Sequence, residues 1–147
     1  MPNLTSASQL RTVFDETETI AVLGAHPDPQ KPAHFVPEYL YQQGYRVLPV
    51  NPKYAGETLW GETPRRTLTD LEGPIDVVDV FRRAEHLPEH ADEILALDPL
   101  PKVVWLQQGI RHEEVAARLV DAGIDVVQDT CMLAAHKKLG LERPDTQ

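Results

Sequence analysis

Two turns carry the residue types best suited to chemistry in this chain, and each ends an apolar run. Thr19-Ile-Ala-Val-Leu-Gly-Ala-His26 ends in a glycine turn, and Tyr45-Arg-Val-Leu-Pro-Val-Asn-Pro-Lys53 ends in a lysine. In an open parallel sheet, ligands bind outside the carboxyl ends of the strands, where the strand order reverses. The two turns are therefore expected to face one crevice. Gly24 and Ala25 would bring bare backbone N–H groups near a phosphate at a helix N-terminus. A strand-to-helix turn needs one glycine for steric reasons alone, and Gly24-Ala-His-Pro-Asp-Pro29 lacks the G-x-G-x-x-G fingerprint. The second turn adds the sharper signal. Dinucleotide folds place Asp or Glu there to hold a ribose hydroxyl. An acid repels a ribose phosphate, whereas Lys53 attracts one as a compact point charge. The pair of turns argues against NAD and for a nucleotide whose ribose is phosphorylated. NADP and coenzyme A both qualify.

A third turn, Trp105-Leu-Gln-Gln-Gly-Ile110, follows another apolar run. Gly109 would let backbone approach a ligand, and Gln107 and Gln108 can hydrogen-bond an amide-rich chain such as pantetheine. Asp79 and Arg82 lie in and after the third apolar run, as an ion pair at the crevice or as part of the ligand shell. Cys131 and His136 are spaced unlike any zinc pattern, and as a lone thiol at a helix start Cys131 reads as packing. The sequence offers no nucleophile elbow, Walker loop or paired strand-end acids. No catalytic or metal-ligating residue is assigned.

These turns need a scaffold of alternating strands and helices. Apolar runs predict strands at Ile20–Leu23, Tyr45–Val50, Ile75–Phe81, Lys102–Leu106 and Asp125–Gln128. Helical spacing predicts helices at Leu4–Glu18, capped by Ser6 or Ser8, and at Ala33–Gln43, closed by Gly44. Further helices are expected at Glu85–Leu97, His112–Ala122 and Met132–Leu139, with a short one around Leu68 and Leu71. Pro37 is tolerable only in a first turn, which puts the second helix start near His34. The pattern is that of an α/β protein, a doubly wound parallel five-stranded sheet in three α/β/α layers. Right-handed crossovers favour the strand order 3-2-1-4-5.

Length and composition set the outer limits. A chain of 147 residues, 41% apolar and 25% charged, fits one domain, with residues 1–18 an N-terminal helix and 141–147 a flexible tail. The net charge of −9 disfavours nucleic acid and anionic membrane. No apolar run spans a bilayer, the N-terminus is unlike a secretory signal, and Cys131 has no partner for a disulfide. The cytoplasm is the expected compartment.

Taken in order, Ile20-Ala-Val-Leu-Gly-Ala25, Gly44-Tyr-Arg-Val-Leu-Pro-Val-Asn-Pro-Lys53, Asp76-Val-Val-Asp-Val-Phe-Arg82 and Trp105-Leu-Gln-Gln-Gly-Ile110 resemble the small stand-alone CoA-binding proteins. Those are similar in turn to the N-terminal CoA-binding domain of the succinyl-CoA synthetase α subunit. Asp129-Thr-Cys131 followed by His136 also resembles the closing motif of the stand-alone proteins. The likeness runs from about Ser6 to Leu139 and implies a Rossmann-like fold with coenzyme A at the strand carboxyl ends. By position it implies Gly24, Ala25 and His26 at the phosphates. It implies Asn51, Pro52 and Lys53 at the adenosine and its 3′-phosphate. Phe81 and Arg82 would border adenine or pantetheine, and Gln108, Gly109 and Ile110 the pantetheine arm. Lys31 falls where such proteins often carry a basic residue. The chain ends where the synthetase's second domain, with its phosphorylated histidine, would begin, so the synthetase reaction is not implied.

The expected function is a small binding module for coenzyme A or an acyl-CoA. The rival readings are an NADP-dependent or acyl-CoA-dependent enzyme, and a subunit that needs a partner for catalysis.

Overall fold

The computed structural model describes residues 3–143. Five parallel strands form the sheet: β1 (Thr19–Leu23), β2 (Arg46–Val50), β3 (Val77–Val80), β4 (Val103–Leu106) and β5 (Asp125–Val127). Their side chains alternate between two apolar layers. Ile20, Val22, Val47, Val77, Val103 and Trp105 face one layer, and Ala21, Leu23, Val78, Val80, Val104 and Leu106 face the other. Helices α1 (Ala7–Glu16), α2 (Pro32–Gln42) and α5 (Met132–Lys138) cover the first layer through Phe14, Leu40 and Met132. Helices α3 (Leu87–Leu95) and α4 (Glu113–Asp121) cover the second through Ala91, Ile94 and Leu119. Both faces are thus buried, and the strands are nearly uniformly apolar for that reason.

The strand order is 2-1-3-4-5, which corrects the expected 3-2-1-4-5. Strand β3 pairs with β1, as Ile20–Leu23 against Val77–Val80, and β2 is left at the edge. Pro49 supplies a physical reason. Proline has no N–H for a second ladder, so a strand containing it belongs at an edge. Residues of β3 are wholly buried, as a central strand requires, whereas Arg46 on β2 is exposed. The order reverses between β1 and β3, so the crevice opens between Gly24 and the Phe81-Arg82 segment.

Local chemistry fixes the helix starts. Ser6 caps α1 in a capping box with Gln9. Helix α2 begins at Pro32, ahead of the expected start at His34, so Pro37 lies in its second turn. Its missing N–H leaves the Ala33 carbonyl without a helical partner. The His26 N–H donates to that carbonyl at 3.3 Å, which makes the proline tolerable and ties the first loop to the helix. The connection between β2 and β3 holds only short 3-10 turns at Pro52–Tyr54 and Leu68–Asp70. Within the expected flexible tail, Arg143 donates from Nη2 to the Gln43 carbonyl at 2.6 Å, and its N–H donates to Gln43 Oε1 at 2.7 Å. The rest of that tail, from residue 144, lies outside the described residues.

Candidate functional site at the strand ends

A cavity of about 970 Å3 opens at the carboxyl ends of the strands. That volume is in the upper part of the range for small-molecule and cofactor sites, roughly 300–1,000 Å3. All three turns singled out in the sequence reach it. Gly24, His26 and Lys31 line it from the first, and Asn51, Pro52 and Lys53 from the second. Gln108 and Ile110 line it from the third, with Phe81 and Arg82 after β3. Ala25 and Gly109 do not line it. Ala25 is wholly buried, and its carbonyl accepts from Asn51 Nδ2 at 2.9 Å.

The glycines serve different ends from those expected. A Cβ on Gly24 would stand 2.9 Å from Arg82 Cδ and 3.0 Å from the Phe81 carbonyl oxygen, and its φ is +94°. Glycine is therefore required so that the segment after β3 can cross the first turn. Gly109 has φ of +87° with nothing within 4 Å of a Cβ, so its backbone conformation alone selects it. Its N–H donates to Asp129 Oδ1 at 2.6 Å, joining the third turn to the loop between β5 and α5.

The backbone donors of the first turn face inward, contrary to their expected role as bare phosphate ligands. The N–H groups of Gly24 and Ala25 both donate to the Val50 carbonyl, at 2.9 and 3.3 Å. Asn51 completes the staple between the two turns: Oδ1 accepts from the Lys53 N–H at 3.0 Å, while Nδ2 holds Ala25. This network makes one rigid rim from two loops.

Side chains dominate the electrostatics of the rim. Lys31, Lys53, Arg82 and Arg83 line the cavity, and no Asp or Glu does. Among the described residues, none of these four cations has a carboxylate within 4.0 Å. These four cations give the cavity a positive lining, in a chain of net charge −9. Arg82 is also held in place. Its Nε donates to His90 Nε2 at 3.4 Å, and His90 Nδ1 then carries the ring proton toward Glu93 Oε1 at 3.1 Å. No ion pair joins Arg82 to Asp79.

Asp79 instead lies wholly buried below the cavity. Its Oδ1 accepts from Gln107 Nε2 at 2.5 Å, and its Oδ2 has no partner. Burial pushes its carboxyl up to about 7, with the Gln107 hydrogen bond acting in the opposite direction. Gln107 Oε1 accepts from the Met132 N–H at 3.3 Å, so its amide is engaged at both ends. Of the two glutamines, Gln108 is the exposed one. His136 is separate from Cys131: its Nδ1 lies 2.7 Å from the Tyr39 hydroxyl amid the rings of Phe14, Tyr39 and Tyr45. Burial lowers its pKa. Among the described residues, no group of three His, Cys, Asp or Glu side chains is placed to hold a metal.

Residues 18–137 match the CoA binding domain family, across most of the chain. The chain belongs to that family. A relative from Bacillus subtilis (strain 168), the uncharacterized protein YneT, is 35% identical over 131 residues, covering 89% of this chain and 94% of that protein. A solved structure from Thermus thermophilus, cell-free ID.343, is 52% identical with a TM-score of 0.88, covering 92% of this chain and 99% of the other. A hypothetical protein from Pyrococcus horikoshii OT3 is 30% identical with a TM-score of 0.85, covering 92% of each chain. The resemblance in the sequence and the parallel α/β architecture are thereby established. In this member of the CoA-binding family, the cavity includes residues that sequence reasoning missed. Phe35 and Val36 line it from α2, Tyr54 from the Pro52–Tyr54 turn, Arg83 beside Arg82, and Cys131 at the start of α5. Tyr54 and Arg83 adjoin assigned residues, and Cys131 follows a strand end. The strand-end rule, applied to every turn, contains the signal for all three. Phe35 belongs to an apolar helical stripe that reads as core, yet it is 44% exposed.

Proposed function

We propose that this chain binds coenzyme A or an acyl-CoA in the strand-end cavity, as a small module with no chemistry of its own. The observation that carries the reading is the acid-free rim with its four unneutralised cations. Coenzyme A carries a ribose phosphate and a diphosphate, which need several cations, and a long amide arm, which needs a partly apolar trough. Lys53 with Asn51 and Pro52 would hold the adenosine end and its 3′-phosphate, with Lys31 nearby. Gly24 and His26 would form the wall at the phosphates, with Ala25 buried behind them, and Phe81 and Arg82 the border of the adenine or pantetheine. Gln108 and Ile110 would follow the pantetheine arm, with Gly109 shaping the turn between them. Such a module serves as a carrier, a sensor or a subunit of a larger enzyme, in the cytoplasm. Among the described residues no helix is long and apolar enough to cross a membrane.

A thermal scan with coenzyme A, NADP and NAD tests the ligand. A ligand at about 100 times its Kd adds about 2.7 kcal/mol to the unfolding free energy. For a domain of this size, Tm should rise by about 5 °C with coenzyme A and stay unchanged with NAD. A rise with NADP and none with coenzyme A would replace the binding module with a reductase.

A further inference from the structure

The rim of the cavity holds a donor that the family resemblance does not assign, the hydroxyl of Tyr54. The backbone leaves few donors for a ligand at this corner. The N–H groups of Gly24, Ala25 and His26 donate to carbonyls of the protein, and so does that of Tyr54, to Asn51 at 3.2 Å. The Lys53 N–H is held by Asn51 Oδ1. Recognition of an anion here therefore falls to side chains.

Tyr54 is oriented for it by His26. His26 Nδ1 accepts from the Asp28 N–H at 3.0 Å, so that nitrogen carries no proton. The proton of the neutral ring must then sit on Nε2, which lies 3.1 Å from the Tyr54 oxygen. The ring therefore donates and the phenol accepts. This leaves the phenol's own hydrogen free of any partner among the described residues. The two rings also pack, with centroids 5.0 Å apart. Lys53 Nζ stands 5.7 Å from the Tyr54 ring centroid, so a cation and a fixed neutral donor share one corner of the cavity. Both side chains line it, as does His26.

We propose that Tyr54 Oη donates its hydrogen to a phosphate oxygen of the bound ligand, and that His26 is the positioning residue that fixes the phenol for this task. The inference rests on the coenzyme A reading and adds to it a specific reader of phosphate. The ribose phosphate and the diphosphate share this chemistry, and the choice of probe separates them.

The test is titration calorimetry of wild type and Tyr54→Phe with coenzyme A, dephospho-CoA and pantetheine. Phenylalanine keeps the ring against His26 and Lys53, so Tm without ligand should be unchanged. Coenzyme A affinity should fall about tenfold, the effect of losing one hydrogen bond to a charged group. Pantetheine, which has no phosphate, should bind both proteins equally. A loss retained with dephospho-CoA assigns the diphosphate, and a loss that vanishes with it assigns the ribose phosphate. His26→Ala should show a similar loss that does not add to that of Tyr54→Phe. Equal coenzyme A affinity in wild type and Tyr54→Phe, or an equal loss with pantetheine, overturns the assignment of Tyr54. Additive losses overturn the positioning role of His26. Failure of the wild type to bind coenzyme A overturns the functional reading itself, and this inference with it.

Discussion

Asp79→Asn should stabilise this protein in neutral and alkaline solution and do little in acid. Asp79 is wholly buried in the central strand β3, with one carboxyl oxygen on Gln107 and the other without a partner. Desolvation raises its pKa from the ordinary 3.8 to about 7 in the folded state. An acid whose folded pKa lies above its unfolded one is held more tightly protonated by the native state. Stability is then highest below the unfolded pKa of 3.8 and falls as pH rises, with the whole loss reached above about 7. At about 1.4 kcal/mol per pH unit, that window corresponds to about 4 kcal/mol. Asparagine has no charge to bury and keeps an acceptor for Gln107 Nε2. Its NH2 takes the unpartnered position, at a cost that does not vary with pH. The informative quantity is thus the change in the mutant's advantage between about pH 4.5 and about pH 8.5, which should be about 3 kcal/mol. Urea titrations of both proteins across that range would read it as a midpoint difference growing by about 1–2 M. A midpoint difference that stays constant with pH would refute the reasoning. It would mean that the Asp79 carboxylate is solvated or paired and titrates as an ordinary acid.

Two further perturbations address the cavity. Lys53→Ala should weaken coenzyme A binding by about 1–3 kcal/mol and leave dephospho-CoA unaffected. The wild type's preference for coenzyme A over dephospho-CoA should shrink with added salt. Calorimetry of both proteins with both ligands closes the cycle, and a near-zero coupling would transfer the phosphate to Lys31 or Arg82. Cys131 lines the cavity, yet the binding reading rests on the cations, so Cys131→Ser should leave coenzyme A affinity unchanged within about twofold. If that substitution instead removed a measurable thioester turnover from an intact fold, the chain would be an enzyme.

Much of the site can be read from residue order because strand ends are written in the sequence. An apolar run followed by a glycine, an asparagine-proline or another glycine marks where a buried strand meets solvent. In a parallel sheet all such ends lie on one side. The strand ends place Gly24, Asn51, Pro52, Lys53, Arg82 and Gln108 on a single cavity, and of the twelve residues that the family resemblance implies, ten line it. The expected order 3-2-1-4-5 was wrong, although the edge position of β2 is legible in Pro49, which bars that strand from a central place. Handedness alone cannot make that choice, because right-handed crossovers are compatible with either order.

Other features depend on contacts between distant residues. Gly24 looks like a phosphate turn in isolation, but its missing Cβ makes room for Arg82, which lies far along the chain. The donors of the first turn look free, but β2 lies alongside and supplies the Val50 carbonyl that engages them. Asp79 reads as a partner for Arg82, yet successive strand residues point to opposite faces, and Gln107 rather than Arg82 lies within its reach. Periodicity and turn chemistry are local properties, so the sequence by itself determined the elements and the side of the sheet on which the cavity opens. Which donors remain free, which charges remain unpaired and which carboxyl is stranded from water depend on long-range packing, and only the tertiary structure decided them.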